Sequence, residues 1–306
     1  MQQLRQLMDL IAEPRKSPNP ISTPPESQSS DRQSRHRSGR HPLPTPRRRA
    51  TDPQARGELS ELLSVSKPRA GLSQLAINDL LRSRLENLLA EQRERGRLAA
   101  HGLLPMRKLL LVGAPGTGKA ATAEAVAAEL HLPLLHLRLD SLVTRFMDHS
   151  SSRLRLILDA MQTVRGVYFF DQVNEVAELT SRADLGDTAR VRNCLAQFVE
   201  REHPQSVIIA AVAPTSQVDH ALFRYFDQVL EYPLPAGDIV QQLIQANIAN
   251  LLPPDFAWSR VTTAALGLSH AEIGVASRQA AKDAILSDQR YVTADRLIAA
   301  LKERNL

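Results

Sequence analysis

The sequence predicts an α/β domain built on a parallel sheet, followed by a small all-helical domain. Five short apolar runs are typical of buried strands and lie at residues 109–112, 134–139, 167–170, 207–211 and 229–232. Helical patterns separate them, at residues 121–130, 154–161 and 191–199. Apolar strands that alternate with helices indicate a parallel sheet covered on both faces. After Pro233 the periodic segments, at 239–248, 271–286 and 293–301, all have helical spacing.

The segment that precedes the strands divides into a polar tail and a helix. Apolar residues recur at helical spacing from Ile77 to Leu89, and a charged stretch follows from Glu91 to Arg97, which predicts an amphipathic helix. Residues 1–57 are rich in Pro, Ser and Arg and poor in apolar residues. Such a segment buries too little surface to offset its chain entropy, so we predict that it is disordered.

The net charge of the chain belongs to this tail. Residues 1–58 hold 11 Lys and Arg against 6 Asp and Glu, whereas the other residues carry 27 of each. The folded part therefore has no net charge that would favour nucleic acid. Two interpretations of the arginines around Arg47–Arg49 stay open: they are part of a solvated linker, or they hold phosphates or an acidic partner.

Composition excludes several classes of protein. Cys194 is the single cysteine of the 306 residues, which rules out an intrachain disulfide framework and a cysteine metal cluster. The chain contains no run of 18 uncharged apolar residues, and no apolar stretch with a cleavage site follows Met1. We therefore expect neither a membrane span nor a secretory signal, and a cytoplasmic location.

A phosphate-binding loop (P-loop) follows the first predicted strand. The motif G-x-x-x-x-G-K is matched by Gly113, Ala114, Pro115, Gly116, Thr117, Gly118 and Lys119, and Ala120 comes next. The glycines let backbone N–H groups turn toward phosphate oxygens, the helix N-terminus adds positive potential, and the lysine adds a charge. Ala120 departs from the motif, which has a Ser or Thr there to bind Mg²⁺. Thr122 lies about 200° further round the helix and does not replace that hydroxyl.

The motifs around this loop resemble those of the AAA+ ATPases, in particular bacterial proteins with a single ATPase module. The matching segments are 167–172 for the strand that ends in Asp-Glu, 207–214 for the sensor-1 strand, 219–227 for the arginine-finger segment, 230–235 for the link to the lid and 267–273 for the lid near adenine. The resemblance covers residues 58–306. It implies a P-loop αβα sandwich at 58–235, whose five parallel strands lie in the order 5-1-4-3-2, and a helical lid at 236–306.

The resemblance also implies roles for residues of the site, and two of these residues, in addition to Ala120, depart from the family. Asp171 keeps the role of holding Mg²⁺ through water. Gln172 stands where a Glu polarises the attacking water, and Ala213 stands where an Asn orients it. Loss of a general base alone typically costs about 10²–10⁴-fold in rate. We expect ATP or ADP to bind, Mg²⁺ to be held weakly and hydrolysis to be impaired; tolerated variation in an active enzyme is the alternative.

Two further segments bear on assembly. In the family, an arginine such as Arg224 reaches the nucleotide of a neighbouring subunit, but Tyr225 replaces the second arginine. Phe146 and Met147 match the pore loop that grips a polypeptide in the ring. For Arg224 the alternative is a surface arginine, and for Phe146 and Met147 it is a place in the core. The resemblance implies a homo- or hetero-oligomeric ring with a polypeptide substrate or a protein partner.

Three functions remain open from the sequence. The first is an ATP-binding subunit, impaired in hydrolysis, that regulates or remodels other proteins within an oligomer. The second is an active ATPase that couples hydrolysis to remodelling or threading of a polypeptide. The third is an adaptor recruited through the basic tail.

Overall fold

The computed structural model describes residues 63–137, 161, 164–171, 205–214 and 223–305. Several predicted features lie outside these residues: the tail at 1–57, nearly all of the helical patterns at 154–161 and 191–199, and the residues Phe146, Met147, Gln172 and Cys194.

The described strands form one mixed sheet. They are β1 (Leu63–Ser66), β2 (Lys108–Gly113), β3 (Leu134–Leu137), β4 (Val167–Phe170), β5 (Val207–Val212) and β6 (Gln228–Tyr232). Their order across the sheet is β1-β3-β4-β5-β2-β6. The pairs from β3 to β6 are parallel, whereas β1 runs antiparallel to β3, with Leu63 opposite Leu137.

The prediction of a five-stranded parallel sheet is therefore wrong in its strand count and in its purely parallel pairing. The additional strand, β1, has the sequence Leu-Ser-Val-Ser, in which only Leu63 is buried. Alternation of apolar and polar residues is typical of an edge strand with one solvated face. A search for continuous apolar runs misses such a strand, because it contains none.

Helices cover one face of this sheet. The described α-helices are α1 (Asp79–Arg93), α2 (Arg95–Ala100), α3 (Lys119–Glu129), α4 (Asp238–Ile248), α5 (Trp258–Ala264), α6 (His270–Leu286) and α7 (Ala294–Lys302). Apolar residues of α1 and α3 form one core with residues of one sheet face, including Leu109, Leu111 and Phe169. The opposite face is buried as well, since Leu110 is 1% exposed. Burial of both faces explains why the central strands β4 and β5 contain only apolar and aromatic residues.

The last four helices pack around a second core. This core contains Val240 of α4, Val261 of α5, Ile273 of α6 and Leu297 of α7. Phe256 and Trp258 contribute an edge-on ring contact with centroids 4.8 Å apart. Helix α5 was not among the predicted helices. Within the described part of the chain, no helix has both the length and the apolar composition needed to cross a bilayer.

The sheet order brings three chain segments to one edge. Strands β4, β5 and β2 are adjacent and parallel, so their carboxyl ends lie side by side. Asp171, Ala213 and Ala114 directly follow these three strands. Ligands of open α/β sheets bind at the carboxyl ends of the strands, so a binding site is expected here.

Candidate functional site

The loop between β2 and α3 depends on two glycines with positive φ. Gly116 has φ of 76° and Gly118 has φ of 97°, a region that L-residues with a side chain rarely adopt. Thr117 lies between them, fully buried, and its Oγ1 donates a hydrogen bond of 2.8 Å to Ala114 O. Gly118 is the N-cap of α3, so the helix begins at Lys119 with its free N–H groups at the loop.

The Lys119 side chain folds over the loop. Its Nζ donates hydrogen bonds to Gly113 O at 2.6 Å and to Ala114 O at 2.8 Å. Burial lowers the pKa of Lys119, and the nearby Asp171 carboxylate opposes that shift. The amine thus lies between the loop and the acidic residue that follows β4.

The loop is packed tightly on both sides. A Cβ atom added to Gly113 would come within 2.5 Å of Tyr232 O, and one added to Gly116 would come within 2.7 Å of Ser269 Oγ. In addition, Ala271 N in α6 donates a 3.0 Å hydrogen bond to Gly116 O. The lid helix α6 therefore begins in direct contact with the phosphate-binding loop.

A cavity of about 400 Å³ opens between the loop and α6. It is lined by loop and α3 residues together with Asp171, Ala213 and His270. The structure thus brings together the predicted site residues that it describes, except Arg224. Two helix N-termini, those of α3 and α6, meet at this cavity, which favours an anion there.

Asp171 is the acidic residue of the cavity. Its Oδ2 lies 4.0 Å from His136 Nε2, and its side chain is 36% exposed. Magnesium typically keeps several waters and takes one or two carboxylates together with substrate phosphates, so this position fits a Mg²⁺ ion bound with a nucleotide. Among the residues that the structure describes, no three or more His, Cys, Asp or Glu side chains cluster so that they could form a metal site by themselves.

The hydroxyl missing at Ala120 is not supplied by Thr122. Ala120 lines the cavity and is exposed. Thr122 is fully buried on the other side of α3, and its Oγ1 lies 2.8 Å from the Tyr232 hydroxyl. Neither residue therefore offers an oxygen to a metal in the cavity.

A second, apolar cavity of about 310 Å³ adjoins the first. Its walls include Ile77, Leu81, Tyr232 and Pro233, and it shares His270 with the first cavity. The His270 Nε2 atom lies 3.0 Å from Ala76 O, which only accepts hydrogen bonds, so Nε2 carries the proton. Burial lowers the pKa of His270, while the bond to Ala76 opposes that shift. The imidazole ring thus joins the lid to the segment before α1.

Arg224 lies away from both cavities. It is exposed, and three residues later the Asp227 carboxylate accepts hydrogen bonds from Arg107 N at 2.8 Å and Lys108 N at 2.9 Å. These contacts place the segment at the amino end of β2, whereas the loop follows its carboxyl end. The six residues of β2 span about 17 Å at about 3.3 Å per residue, which one arginine side chain does not bridge.

Sequence analysis assigned no contact in this site to three residues. The hydroxyls of Tyr232 and Thr122 contact each other beneath the loop, although 110 positions separate the two residues in the sequence. His136 approaches Asp171 from the neighbouring strand. The order of parallel strands would have placed His136 beside β4, but the contact of Tyr232 with α3 depends on side-chain packing that no sequence pattern encodes.

Comparisons with known proteins identify the class of this fold and site. Residues 109–234 match the model of the AAA family, the ATPase family associated with various cellular activities. The uncharacterized AAA family ATPase y4kL of Sinorhizobium fredii is 32% identical over 211 residues, which cover 68% of this chain and 63% of that relative. Residues 109–234 are therefore an AAA ATPase domain, which confirms the resemblance.

Two other relatives carry names that describe an activity. The ATP-dependent zinc metalloprotease FtsH of Acidothermus cellulolyticus is 27% identical over 264 residues, covering 80% of this chain and 39% of the relative. A proteasome-activating nucleotidase of Methanosarcina mazei is 24% identical over 216 residues, covering 68% of this chain and 51% of the relative. The matched region spans less than two thirds of each of the three relatives.

Proposed function

We propose that the protein binds an adenine nucleotide across the two cavities. The phosphates lie against Lys119 and the loop amides in the larger cavity, and the base lies in the apolar cavity beside Tyr232 and Pro233. The observation that carries this proposal is the larger cavity, where a lysine and two helix N-termini meet an acidic residue. Positive groups at one end and an apolar pocket beside them match a molecule with phosphates at one end and a flat base at the other.

Magnesium binds with the nucleotide but is held weakly. Asp171 would hold the ion, through water as the resemblance implies, and the ion would neutralise charge on the phosphates. Ala120 contributes no hydroxyl, so the ion has one protein ligand fewer than the P-loop motif provides. We therefore expect ADP affinity to respond less to Mg²⁺ than in a P-loop protein with Ser or Thr at this position.

Hydrolysis of ATP is slow or absent in this proposal. Ala213 lines the cavity at the carboxyl end of β5, and its methyl group neither donates nor accepts a hydrogen bond to an attacking water. Gln172 follows Asp171 in the sequence and, as a carboxamide, does not accept a proton at neutral pH. Binding and catalysis are separable, because a site can retain ground-state contacts while it loses those made in the transition state.

The protein acts as a subunit of an oligomer in this proposal. Arg224 is too far from its own loop to serve it, and its exposure leaves it available to the site of a neighbouring copy or of a related subunit. Such head-to-tail contacts close into rings when the rotation allows. The role is regulatory or remodelling, in the cytoplasm, with domains at 58–235 and 236–306 and the tail at 1–57 outside the folded part.

An active remodelling ATPase is the second candidate. It is favoured by the similarity to relatives that are named as an ATP-dependent metalloprotease and as a proteasome-activating nucleotidase. A polypeptide substrate follows from that similarity and from the match of Phe146 and Met147 to the pore loop. Steady-state phosphate release separates this candidate from the impaired subunit.

Substitution of Lys119 tests nucleotide binding at the loop. Lys119→Ala removes the charged donor of the larger cavity, and hydrogen bonds to charged groups contribute about 1.5–3 kcal/mol. We expect the affinity for ADP and for ATP, measured by titration calorimetry, to fall by about 10- to 100-fold. The matched control is Lys282→Ala, an exposed lysine of α6, which we expect to bind like the wild type. Unchanged affinity in Lys119→Ala would place the nucleotide elsewhere.

A further inference from the structure

Tyr232 contacts both ends of the phosphate-binding loop. At one end its backbone pairs with Gly113 in the sheet, so closely that a Cβ on Gly113 would lie within 2.5 Å of Tyr232 O. At the other end its hydroxyl lies 2.8 Å from Thr122 Oγ1 in the first turns of α3. Tyr232 is 3% exposed and Thr122 is fully buried, so water does not compete for this contact.

The hydrogen bonds of this pair have a defined direction. Thr122 Oγ1 also donates to Gly118 O at 3.1 Å, and a threonine hydroxyl has one proton. Both contacts are satisfied when Tyr232 donates to Thr122 and Thr122 donates to Gly118. Burial raises the pKa of Tyr232 to about 12, so the phenol stays protonated and can donate at neutral pH.

The same residue borders the lid and the apolar cavity. Tyr232 is the last residue of β6, and the chain then runs through Pro233 to Ala236 into α4. Tyr232 is also one of the residues that line the apolar cavity. The chain of hydrogen bonds therefore runs from the start of the lid linker to Gly118, the residue with φ of 97° that opens α3.

We propose that Tyr232, through Thr122, is a positioning residue that holds Gly118 and the loop amides in the geometry that binds nucleotide phosphates. This inference rests on the proposed nucleotide binding. Tyr232 directly precedes the segment 233–237 that leads to the lid, so a movement of the lid would also displace Tyr232 and, through Thr122, the loop. The buried contact with the Tyr232 hydroxyl also gives the Thr122 hydroxyl a structural role, although it does not face the cavity where a metal would bind.

The test compares two buried tyrosines. Tyr232→Phe removes the hydroxyl and keeps the ring, and one hydrogen bond typically contributes about 0.5–1.5 kcal/mol. We expect the Kd for ADP to rise about three- to tenfold. The matched control is Tyr168→Phe, whose buried hydroxyl donates to Val164 O at 2.9 Å at the opposite end of the sheet. Its ADP affinity should equal that of the wild type, although its free energy of unfolding is also lowered.

Variants at position 122 test the same chain from its other member. Thr122→Ser keeps the hydroxyl and should bind ADP more tightly than Thr122→Val, which has none. The double variant Tyr232→Phe/Thr122→Val should lose less affinity than the product of the two single losses, because both changes break one chain of hydrogen bonds.

The outcomes separate the two proposals. Wild-type affinity in Tyr232→Phe, an equal loss in Tyr168→Phe, or multiplicative effects in the double variant would each overturn the positioning role while nucleotide binding stands. Absence of ADP binding by the wild type would contradict the proposed function, and the positioning role with it.

Discussion

Gly116 is a residue at which the loop and the lid are in direct contact. Its positive φ excludes most other residues, and its missing side chain leaves room for Ser269. Its carbonyl accepts the hydrogen bond from Ala271 N. One glycine thus meets two separate requirements, one of backbone conformation and one of space.

A pair of glycines separates these two requirements. Gly102 has φ of 71°, close to the 76° of Gly116, but a Cβ there would meet nothing within 4 Å. We expect Gly102→Ala to lower the free energy of unfolding by about 1–2 kcal/mol from backbone strain alone. Gly116→Ala has the same backbone strain and also brings its Cβ against Ser269, so it should lower the free energy of unfolding, measured with urea, by more than Gly102→Ala does. It should also weaken ADP binding, measured by titration calorimetry. If both variants lower the free energy of unfolding equally and both keep the wild-type ADP affinity, the contact between Gly116 and Ser269 contributes to neither stability nor binding.

Helix α6 is the element that joins the lid to the rest of the site. Its N-cap Ser269 accepts from Glu272 N, and the Glu272 carboxylate accepts from Ser269 N at 2.7 Å, which completes a capping box. The next residue, His270, reaches Ala76 O in the segment before α1. The start of α6 is therefore fixed from three sides, by its own cap, by Gly116 and by Ala76.

Protonation of His270 is expected to weaken this junction. Its Nδ1 atom is buried without a hydrogen-bond partner among the described residues, so a second proton there would be unpaired. Burial lowers the pKa of His270 below its ordinary 6.5. As the pH falls below that value, the imidazole is therefore protonated more readily in the unfolded chain than in the folded chain, which favours unfolding. The free energy of unfolding should therefore decrease from about pH 7.5 to about pH 5.5.

The matching experiment uses two histidine variants. His270→Gln cannot titrate and places an amide N–H near the position of Nε2, where it can donate to Ala76 O, so its urea midpoint should change less between the two pH values than that of the wild type. His101→Gln, at an exposed position, should keep the wild-type change. If His270→Gln shows the full pH dependence of the wild type, the junction does not respond to protonation.

At the scale of elements, the sequence was informative where burial is complete. The apolar runs predicted β2, β4, β5 and β6 to within one residue at each end. In β4 and β5 the reason is that every residue is buried and none is polar, whereas β6 was predicted although it contains the exposed Glu231. Strand β1 and helix α5 were missed, since each is short and only partly buried. The loop motif located the site, but its contacts with Ser269, His270 and Tyr232 follow from how the lid packs, which the local sequence does not specify.

At the scale of the whole molecule, the site lies between two separate cores. The loop and Asp171 belong to the sheet, whereas His270 and Ala271 belong to the lid. A nucleotide bound in both cavities contacts both parts, so binding couples their relative position to the ligand. Arg224 is at the other end of the sheet, where it faces outward. The proposed function therefore makes the protein a nucleotide-responsive subunit in which the residues for hydrolysis are replaced.

We propose that this site binds ATP and does not turn it over, because Ala120, Gln172 and Ala213 replace three residues that contribute to hydrolysis in the family. Groups that act as a unit in catalysis have strongly non-additive effects, so restoring one of them should change little. Phosphate release at saturating ATP is therefore measured for the wild type, for Ala120→Thr, Gln172→Glu and Ala213→Asn, and for the triple variant, with the bound nucleotide identified in each sample. We predict that the wild type retains ATP, that the single variants release little phosphate, and that the triple variant releases far more than the product of the single effects. Robust hydrolysis by the wild type would contradict the claim and favour the active remodelling ATPase.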